Sequence, residues 1–353
     1  MIIQDFDFNK DNSVFVIAEL SANHNGSLET ALETIRAAKR TGANAIKLQT
    51  YTADTLTIQC DKDDFIIKSG SIWDGKTFYD LYKSAYTPWE WHEELFQCAK
   101  EEGLICFSSP FDKSAVDFLE NLNVPAYKIA SFEITDIPLI EYVASKGKPI
   151  ILSTGIATSE DIELALDACH RMGNNNIALL KCTSSYPAPI EEANMAMIPD
   201  FKERFDVIPG LSDHTLGSTV PIVATTLGAR IIEKHFILDR SIGGPDASFS
   251  MNEKEFTEMV KAVREAEKAV GVVSYEPTQK QIKGRAFSRS LYVVKDLKKG
   301  DIITKDNVRS IRPGFGMHPK YYSDVLGKQV SMDLSRGFAL SKEMIELNRS
   351  TSN

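Results

Sequence analysis

Along the first 270 or so residues, short runs rich in Val, Ile and Leu alternate with stretches whose apolar residues recur at helical spacing. The runs are Val14–Glu19, Ala45–Gln49, Leu104–Ser108, Ala126–Ala130, Pro149–Ser153, Ile177–Cys182, Val207–Leu211 and Ala229–His235. Their near-continuous apolar character is that of strands buried on both faces, as in a parallel sheet. Helix starts are marked between them. Thr87-Pro88-Trp89-Glu90, Thr158 with Asp161, and Asn252 with Glu255 each set a capping residue against an acidic one three positions on. Gly42, Gly103, Gly147, Gly173 and Gly271 stand where those helices need a left-handed ending. Eight such units predict a (β/α)8 TIM barrel, with a doubly wound sheet as the competing parallel architecture. Segment Thr52–Tyr86, between the second run and its helix, is long enough for a functional lid or rim.

The pattern changes after Gly271. Ser274–Gly284 reads as a linker. Arg289–Val294, the turn Lys298-Lys299-Gly300-Asp301, Arg309-Ser310-Ile311 and the Arg312-Pro313-Gly314-Phe315-Gly316 loop then read as short strands and turns. The expected organisation is a barrel over residues 1–273, a linker over 274–286 and a small strand-rich domain over 287–349.

Composition narrows the class. Of 353 residues, 43% are hydrophobic and 25% charged, which is ordinary globular usage. The net charge of −9 argues against a nucleic-acid partner, which selects a clustered basic face. No apolar run approaches the length of a membrane span, and the N-terminus carries no signal-like core. The five cysteines are dispersed, with no CxxC pair, as expected of free thiols in the cytoplasm. Residues 284–349 nevertheless carry 13 Lys/Arg against 7 Asp/Glu. This is either drift in surface composition or electrostatic docking of a basic module against an acidic one, within or between chains.

In such a barrel the strands' C-terminal ends converge on one mouth, and polar residues crowd those ends. They are Glu19; Lys47 and Gln49; Ser108 and Ser109; Lys128, Ser131 and Glu133; Ser153 and Thr154; Lys181, Thr183 and Ser184; Ser212, Asp213 and His214; and Glu233 with His235. Gathering so many ionisable groups is costly unless they pair or meet a charged ligand. Lys47, Lys128 and Lys181 with Ser109, Ser131, Ser153 and Ser212 would make a cationic, hydroxyl-rich cup suited to a phosphate beside a carboxylate. His214 and His235, on neighbouring strands, could hold a divalent metal with open positions, although two isolated histidines are a weak signal. Glu19 and Glu133 could be an acid/base group and a hydroxyl acceptor, or salt-bridge partners of the lysines. Asp246, in a glycine-rich loop, could bind a hydroxyl or an amide. Tyr186 with Pro187 could form an apolar wall. His24 is expected near the site, and His92 on a helix in a structural or solvated role.

These motifs resemble a family. Ile17-Ala18-Glu19, Asn23-His24-Asn25-Gly26, Lys47-Leu48-Gln49, Tyr127-Lys128-Ile129-Ala130-Ser131, Leu152-Ser153-Thr154-Gly155, Gly210-Leu211-Ser212-Asp213-His214-Thr215 and Glu233-Lys234-His235-Phe236 are similar to the sialic acid synthase family. The tail with Arg312-Pro313-Gly314 resembles the antifreeze-like (SAF) domain of those enzymes. Within the family, Ser241–Ser250 resembles the pseudaminic acid branch, the others usually reading Gly-Pro-Asp-His there; Ser184 departs from an Asn common in the neuraminic acid branch.

The resemblance implies condensation of phosphoenolpyruvate with the open-chain aldehyde of an amino sugar, with C–O cleavage. The expected acceptor is 2,4-diacetamido-2,4,6-trideoxy-altrose. It implies a divalent metal (manganese, magnesium or cobalt) on His214 and His235, and a domain-swapped homodimer in which Arg312 reaches in from the partner. Lys47, Ser109, Lys128, Ser131, Ser153, Ser184 and Ser212 would hold phosphoenolpyruvate. Glu19 would be the acid/base group, and Gln49, Glu133, Tyr186 and Asp246 would face the sugar. N-acetylmannosamine or the legionaminic acid precursor remains open as the acceptor, as does a carbohydrate-binding protein that kept the barrel without activity.

Overall fold

The computed structural model describes residues 1–70 and 72–346. The chain divides into two compact units, Met1–Gly271 and the part from Val272 onward.

The first unit is a closed ring of eight parallel strands: β1 (Phe15–Glu19), β2 (Ala45–Thr50), β3 (Ile105–Pro110), β4 (Tyr127–Ile129), β5 (Ile150–Ser153), β6 (Ile177–Cys182), β7 (Ile208–Asp213) and β8 (Ile231–His235). β8 pairs back onto β1, so the doubly wound alternative is excluded. Helices α1 (Leu28–Arg40), α2 (His92–Glu101), α3 (Lys113–Asn121), α4 (Ile137–Ala144), α5 (Ser159–Arg171), α6 (Met197–Phe205), α7 (Thr219–Thr226) and α8 (Glu253–Val270) separate the strands and follow β8. The capping boxes of α5 and α8 form as their sequences predict, with Thr158 against Asp161 and Asn252 against Glu255. The one at Thr87 does not. A 3-10 turn, Trp89–Trp91, precedes α2, and the buried Thr87 hydroxyl meets His24 instead. Gly42, Gly103, Gly147, Gly173 and Gly271 all take positive φ.

Strand parity organises the interior. Phe15 and Ile17, Ala45, Ile105 and Phe107, Ala126, Ile151, Ala178 and Leu180, and Ile231 form one apolar cluster inside the ring. A short hairpin, Ile2–Ile3 against Phe6–Asp7, closes its lower end with Ile3, Phe6 and Phe8. The alternate positions pack outward beneath the helices. A strand ending in the inward parity therefore delivers its last side chains to the mouth above this plug.

Among its described residues the insertion Thr52–Tyr86 contains two α-helices, Ala53–Leu56 and Phe78–Ala85, and a 3-10 turn, Asp63–Phe65. The second unit has its own core (Leu291, Val293, Val308, Val330, Leu334, Leu340) and an antiparallel pair, β9 (Ser290–Val293) with β10 (Val308–Ile311). The stretch expected to be a linker carries a capped helix, Gln279–Gly284, started by Thr278. Residues 347–349 of the expected domain lie outside the described residues. No described helix is long and apolar enough to cross a membrane.

Candidate active site

The residues of inward parity above the plug are Glu19, Lys47 and Gln49, Ser109, Lys128, Ser153, Cys182, Ser212, and Glu233 with His235. Register places Glu19 beside both Lys47 and His235, and Glu233 beside Ser212. The result is a buried ionic lattice. Lys47 Nζ lies 2.6 Å from Glu19 and 3.7 Å from Glu233, and donates to Ser109 Oγ at 3.2 Å. Lys128 Nζ lies 3.2 Å from Glu233. Gln49 Nε2 donates to Glu19 at 2.9 Å. Two carboxylates thus face two ammonium groups, all four buried, where an unpaired charge would be costly.

Burial disfavours the charge on Lys47, but Glu19 and Glu233 outweigh it and hold Lys47 above its ordinary pKa. Lys128 is pulled down by burial, which Glu233 only partly offsets. Glu19 is pushed up, first by burial and then by Glu233, against the pull of Lys47. An anionic ligand entering here would take over the lysines and leave Glu19 more readily protonated.

Glu233 had no role assigned from the sequence, although its parity with His235 marks it. Cys182 was missed outright. Its thiol sits 3.8 Å from His214 Nδ1, and burial is outweighed by His214, Ser131 and Lys128, which bring it down to about 7. Adjacency to Lys181 drew attention to the wrong residue. Lys181 has the outward parity, and its ammonium bonds Cys182 O and Thr183 Oγ1 rather than joining the cup. Ser108 and Asp213 point outward for the same reason, Ser108 to Thr50 and Asp213 to Lys234.

A second group forms where the fourth, fifth and sixth strands end. Ser131 Oγ accepts from Gly155 N at 3.1 Å. A Cβ on Gly155 would come within 2.0 Å of Ser184 Oγ and 2.7 Å of Ser131 Oγ, so glycine lets the two hydroxyls approach each other. Ser184 Oγ and Ser153 Oγ are buried with no hydrogen-bond partner in the protein. Buried hydroxyls left unpaired call for a ligand or water.

The third group is imidazole. The His214 and His235 ring centroids are 5.3 Å apart, and Tyr186 packs 4.4 Å from His214. His214 Nδ1 bonds Thr183 O at 3.0 Å, which leaves its Nε2 lone pair free. His235 Nδ1 is buried without a hydrogen-bond partner, 3.8 Å from Asp246 Oδ2. That carboxylate accepts from Ser21 Oγ at 2.5 Å. Burial opposes a charge on His214, but Cys182 and Thr183 O outweigh it and hold His214 above its ordinary pKa. The pair would therefore take a divalent cation in exchange for the His214 proton, with ligand oxygens completing the shell. No cluster of three or more His, Cys, Asp or Glu able to hold a metal occurs among the described residues.

A cavity of about 560 Å³ opens beside these groups and is lined by Gln49, Ser131, Tyr186 and His235 among them. Its polar lining is Ser21, Gln49, Ser131, Glu133, His235 and Asp246 from the barrel side, with Lys68 and Ser69 from the insertion. Opposite stands an apolar wall, largely from the insertion: Leu56, Ile67, Trp73, Phe78, Leu81 and Tyr82. Trp73 packs on Tyr186 at 5.3 Å and joins the two walls. Burial pushes Glu133 up to about 7.

His24 does not turn toward this cavity. It accepts from Gly26 N at 3.0 Å, meets Thr87 Oγ1 and packs edge-on to Trp91. His92 is buried and structural, with Nε2 2.8 Å from Thr50 Oγ1. Arg312 belongs to the second unit, where it follows β10 and begins a cis Arg312–Pro313 turn held by Ser290.

Residues 34–275 match the model of the NeuB family, and residues 288–346 match the SAF domain. The chain belongs to the NeuB family. It is 51% identical over 335 residues to the pseudaminic acid synthase of Campylobacter jejuni subsp. jejuni serotype O:23/36 (strain 81-176), covering 95% of this chain and 97% of that protein. It is 48% identical over 332 residues to the pseudaminic acid synthase of Helicobacter pylori (strain ATCC 700392 / 26695), covering 94% and 97%. A crystal structure of N-acetylneuraminic acid (sialic acid) synthetase from Leptospira borgpetersenii serovar Hardjo-bovis, in complex with citrate, superposes with a TM-score of 0.69 at 32% identity, over 78% of this chain and 92% of that one. The motif resemblance and the barrel-plus-SAF architecture are both borne out by NeuB family membership.

Proposed function

We propose that the protein condenses phosphoenolpyruvate with 2,4-diacetamido-2,4,6-trideoxy-altrose to give pseudaminic acid and phosphate. The observation that carries the reading is the two-sided cavity: Gln49, Ser131, Glu133, His235 and Asp246 from the barrel mouth on one side, and apolar side chains of the insertion on the other. A 6-deoxy sugar with two acetamido methyls suits that wall. A sugar with a hydroxyl at C6 would leave it unpaired there, and such mismatches are strongly rejected. The identities to the two pseudaminic acid synthases support the same acceptor over the neuraminic one.

Lys47, Lys128, Ser109 and Ser212 would hold the carboxylate and phosphate of phosphoenolpyruvate, with Ser131, Ser153 and Ser184 as the hydroxyl cradle. A divalent cation on His214 and His235 would polarise the aldehyde oxygen. Tyr186 walls the aldehyde in, while Gln49, Glu133 and Asp246 orient the sugar. As C3 of phosphoenolpyruvate bonds to the aldehyde carbon, positive charge develops at its C2. Glu19, biased toward its acid form by burial, gives its proton to the aldehyde oxygen as that bond forms. As the carboxylate it then takes a proton from the water that attacks C2. The C2–O bond breaks with phosphate leaving and accepting the C2 hydroxyl proton, so that C2 becomes the ketone.

Arg312 would enter the site from a second copy, a reading supported by the family resemblance and the basic character of residues 284–349. Mixing Arg312→Ala chains with Glu19→Gln chains is expected to restore part of the activity that each lacks. Proven mixed dimers without activity would place Arg312 in its own chain's site or in none.

The deciding experiment measures phosphate release from phosphoenolpyruvate with manganese, comparing the diacetamido-trideoxy-altrose, N-acetylmannosamine and the legionaminic acid precursor. Release with the altrose sugar alone is expected, abolished by chelator and restored by metal. Release with another acceptor would overturn the acceptor, and chelator-resistant release would remove the metal from His214 and His235.

A further inference from the structure

The acceptor must react as an open-chain aldehyde, yet a hexose carrying a free ring hydroxyl exists in water almost wholly as its cyclic form. A protein that binds only the open form has its apparent affinity reduced by the small open fraction. A site able to open the ring escapes that penalty, and the cavity contains a carboxyl group fitted to the task.

Of the carboxyls at the mouth, Glu19 and Glu233 are neutralised by Lys47 and Lys128. Asp246 accepts from Ser21 and faces His235. Glu133 differs. It stands on the 3-10 turn Ser131–Glu133 after β4, lines the sugar cavity, and makes no salt bridge among the described residues. Its Oε2 is buried without a hydrogen-bond partner. The condensation steps above give it nothing to do beyond touching the sugar.

We propose that Glu133 opens the cyclic acceptor inside the cavity, so that the protein is also a ring-opening catalyst for its own sugar substrate. The inference rests on the acceptor reading above. The chemistry balances on one carboxyl group. The ring oxygen and the anomeric hydroxyl share one carbon, so their spacing matches that of two carboxyl oxygens. The protonated oxygen of Glu133 gives its proton to the ring oxygen as the ring C1–O bond breaks. The other oxygen takes the proton of the anomeric hydroxyl as C1=O forms. Glu133 ends protonated again, and the sugar is isomerised with no atom gained or lost. Burial favours the acid form that this exchange needs, as it does for other carboxyls in apolar surroundings. The aldehyde is then released among His235, Tyr186 and Asp246, which line the same cavity.

The test is the rate of anomer exchange of 2,4-diacetamido-2,4,6-trideoxy-altrose, read by magnetisation-transfer NMR with the metal-loaded full-length protein and no phosphoenolpyruvate. The wild type is expected to accelerate exchange in proportion to protein concentration. Glu133→Gln should lower that acceleration about 10²-fold while still binding phosphoenolpyruvate, which shows that it is folded. Should the amide not be tolerated, Glu133→Asp keeps the acid one methylene back and should lose about 10-fold. No protein-dependent exchange, or exchange indifferent to Glu133, overturns the inference. Phosphate release without accelerated exchange defeats ring opening alone; phosphate release with none of the three acceptors defeats the acceptor reading.

Discussion

Glu19 is the residue at which the ionic lattice and the chemistry meet. It is 1% exposed, paired with Lys47 and held by Gln49, so its carboxyl is fixed in place and biased toward the acid form by burial. Glu19→Gln keeps the shape and the contact to Gln49 but cannot exchange a proton. Its kcat is expected to fall about 10²-fold or more. The melting temperature should fall as well, because Lys47 loses its nearest partner, so turnover is compared at a temperature where the variant is folded; near-normal turnover would remove Glu19 from the proton's path. Gly155 acts by what it lacks. With Ser184 Oγ 2.0 Å and Ser131 Oγ 2.7 Å from a notional Cβ, Gly155→Ala must push both hydroxyls aside. The expected result is a KM for phosphoenolpyruvate raised about tenfold, near 1.4 kcal/mol of binding, with the acceptor KM unchanged. Steady-state kinetics with each substrate varied in turn would show whether the loss falls on the anion side alone.

At the scale of elements, parity separates what the sequence makes legible from what it does not. Eight apolar runs point to the barrel, because strands buried on both faces leave no polar interruption until the mouth. The mouth residues on the inward parity are equally plain: Lys47 with Gln49, and Glu233 with His235, stand two apart. Lys181 misleads because its type suits the cup while its position is odd, and Cys182 hides because an apolar-looking thiol ends the strand where an ionisable group is expected. The insertion is harder to read. Its walls come from scattered residues, Leu56, Ile67, Trp73, Phe78 and Leu81, that only folding brings to one side of the cavity. Because Trp73 packs on Tyr186, the insertion is coupled to the sugar end rather than to the phosphate cup. Trp73→Ala is therefore expected to raise the acceptor KM about tenfold or more while leaving the KM for phosphoenolpyruvate unchanged. Equal losses for both substrates would mean that the insertion supports the whole mouth instead of its sugar wall.

Across the whole molecule, two neutral histidines fasten the outside of the mouth. His92, at the start of α2, points Nδ1 at Pro88 O at 3.2 Å and takes the Thr50 hydroxyl at Nε2; Thr50 in turn meets Ser108 at 2.6 Å, so the helix is tied to the ends of β2 and β3. His24 is locked between Gly26 N and Thr87. Burial lowers both to about 4. An unfolded histidine titrates near 6.5. Below that pH the unfolded chain binds protons that the folded chain refuses. Each histidine's contribution is therefore complete above about pH 6.5 and lost as the pH falls toward 4, at a slope near 1.4 kcal/mol per pH unit. Glu133, raised to about 7, and Glu19 work the other way, since the folded state accepts their protons first. Total stability consequently hides the effect, and a difference between two chains isolates it. His92→Gln retains an acceptor for Thr50 and does not titrate. At pH 7.5 it should be less stable by on the order of 1 kcal/mol through poorer packing and the lost bond to Pro88. Between pH 6.5 and 4.5 that gap should close and then reverse by roughly 2 kcal/mol, because the carboxyl contributions are common to both chains and cancel. Urea denaturation midpoints at a series of pH values would measure it. A gap that stays constant with pH would mean that His92 gains its proton in the folded state as easily as in the unfolded one, and that the buried contact to Thr50 survives with the imidazole charged.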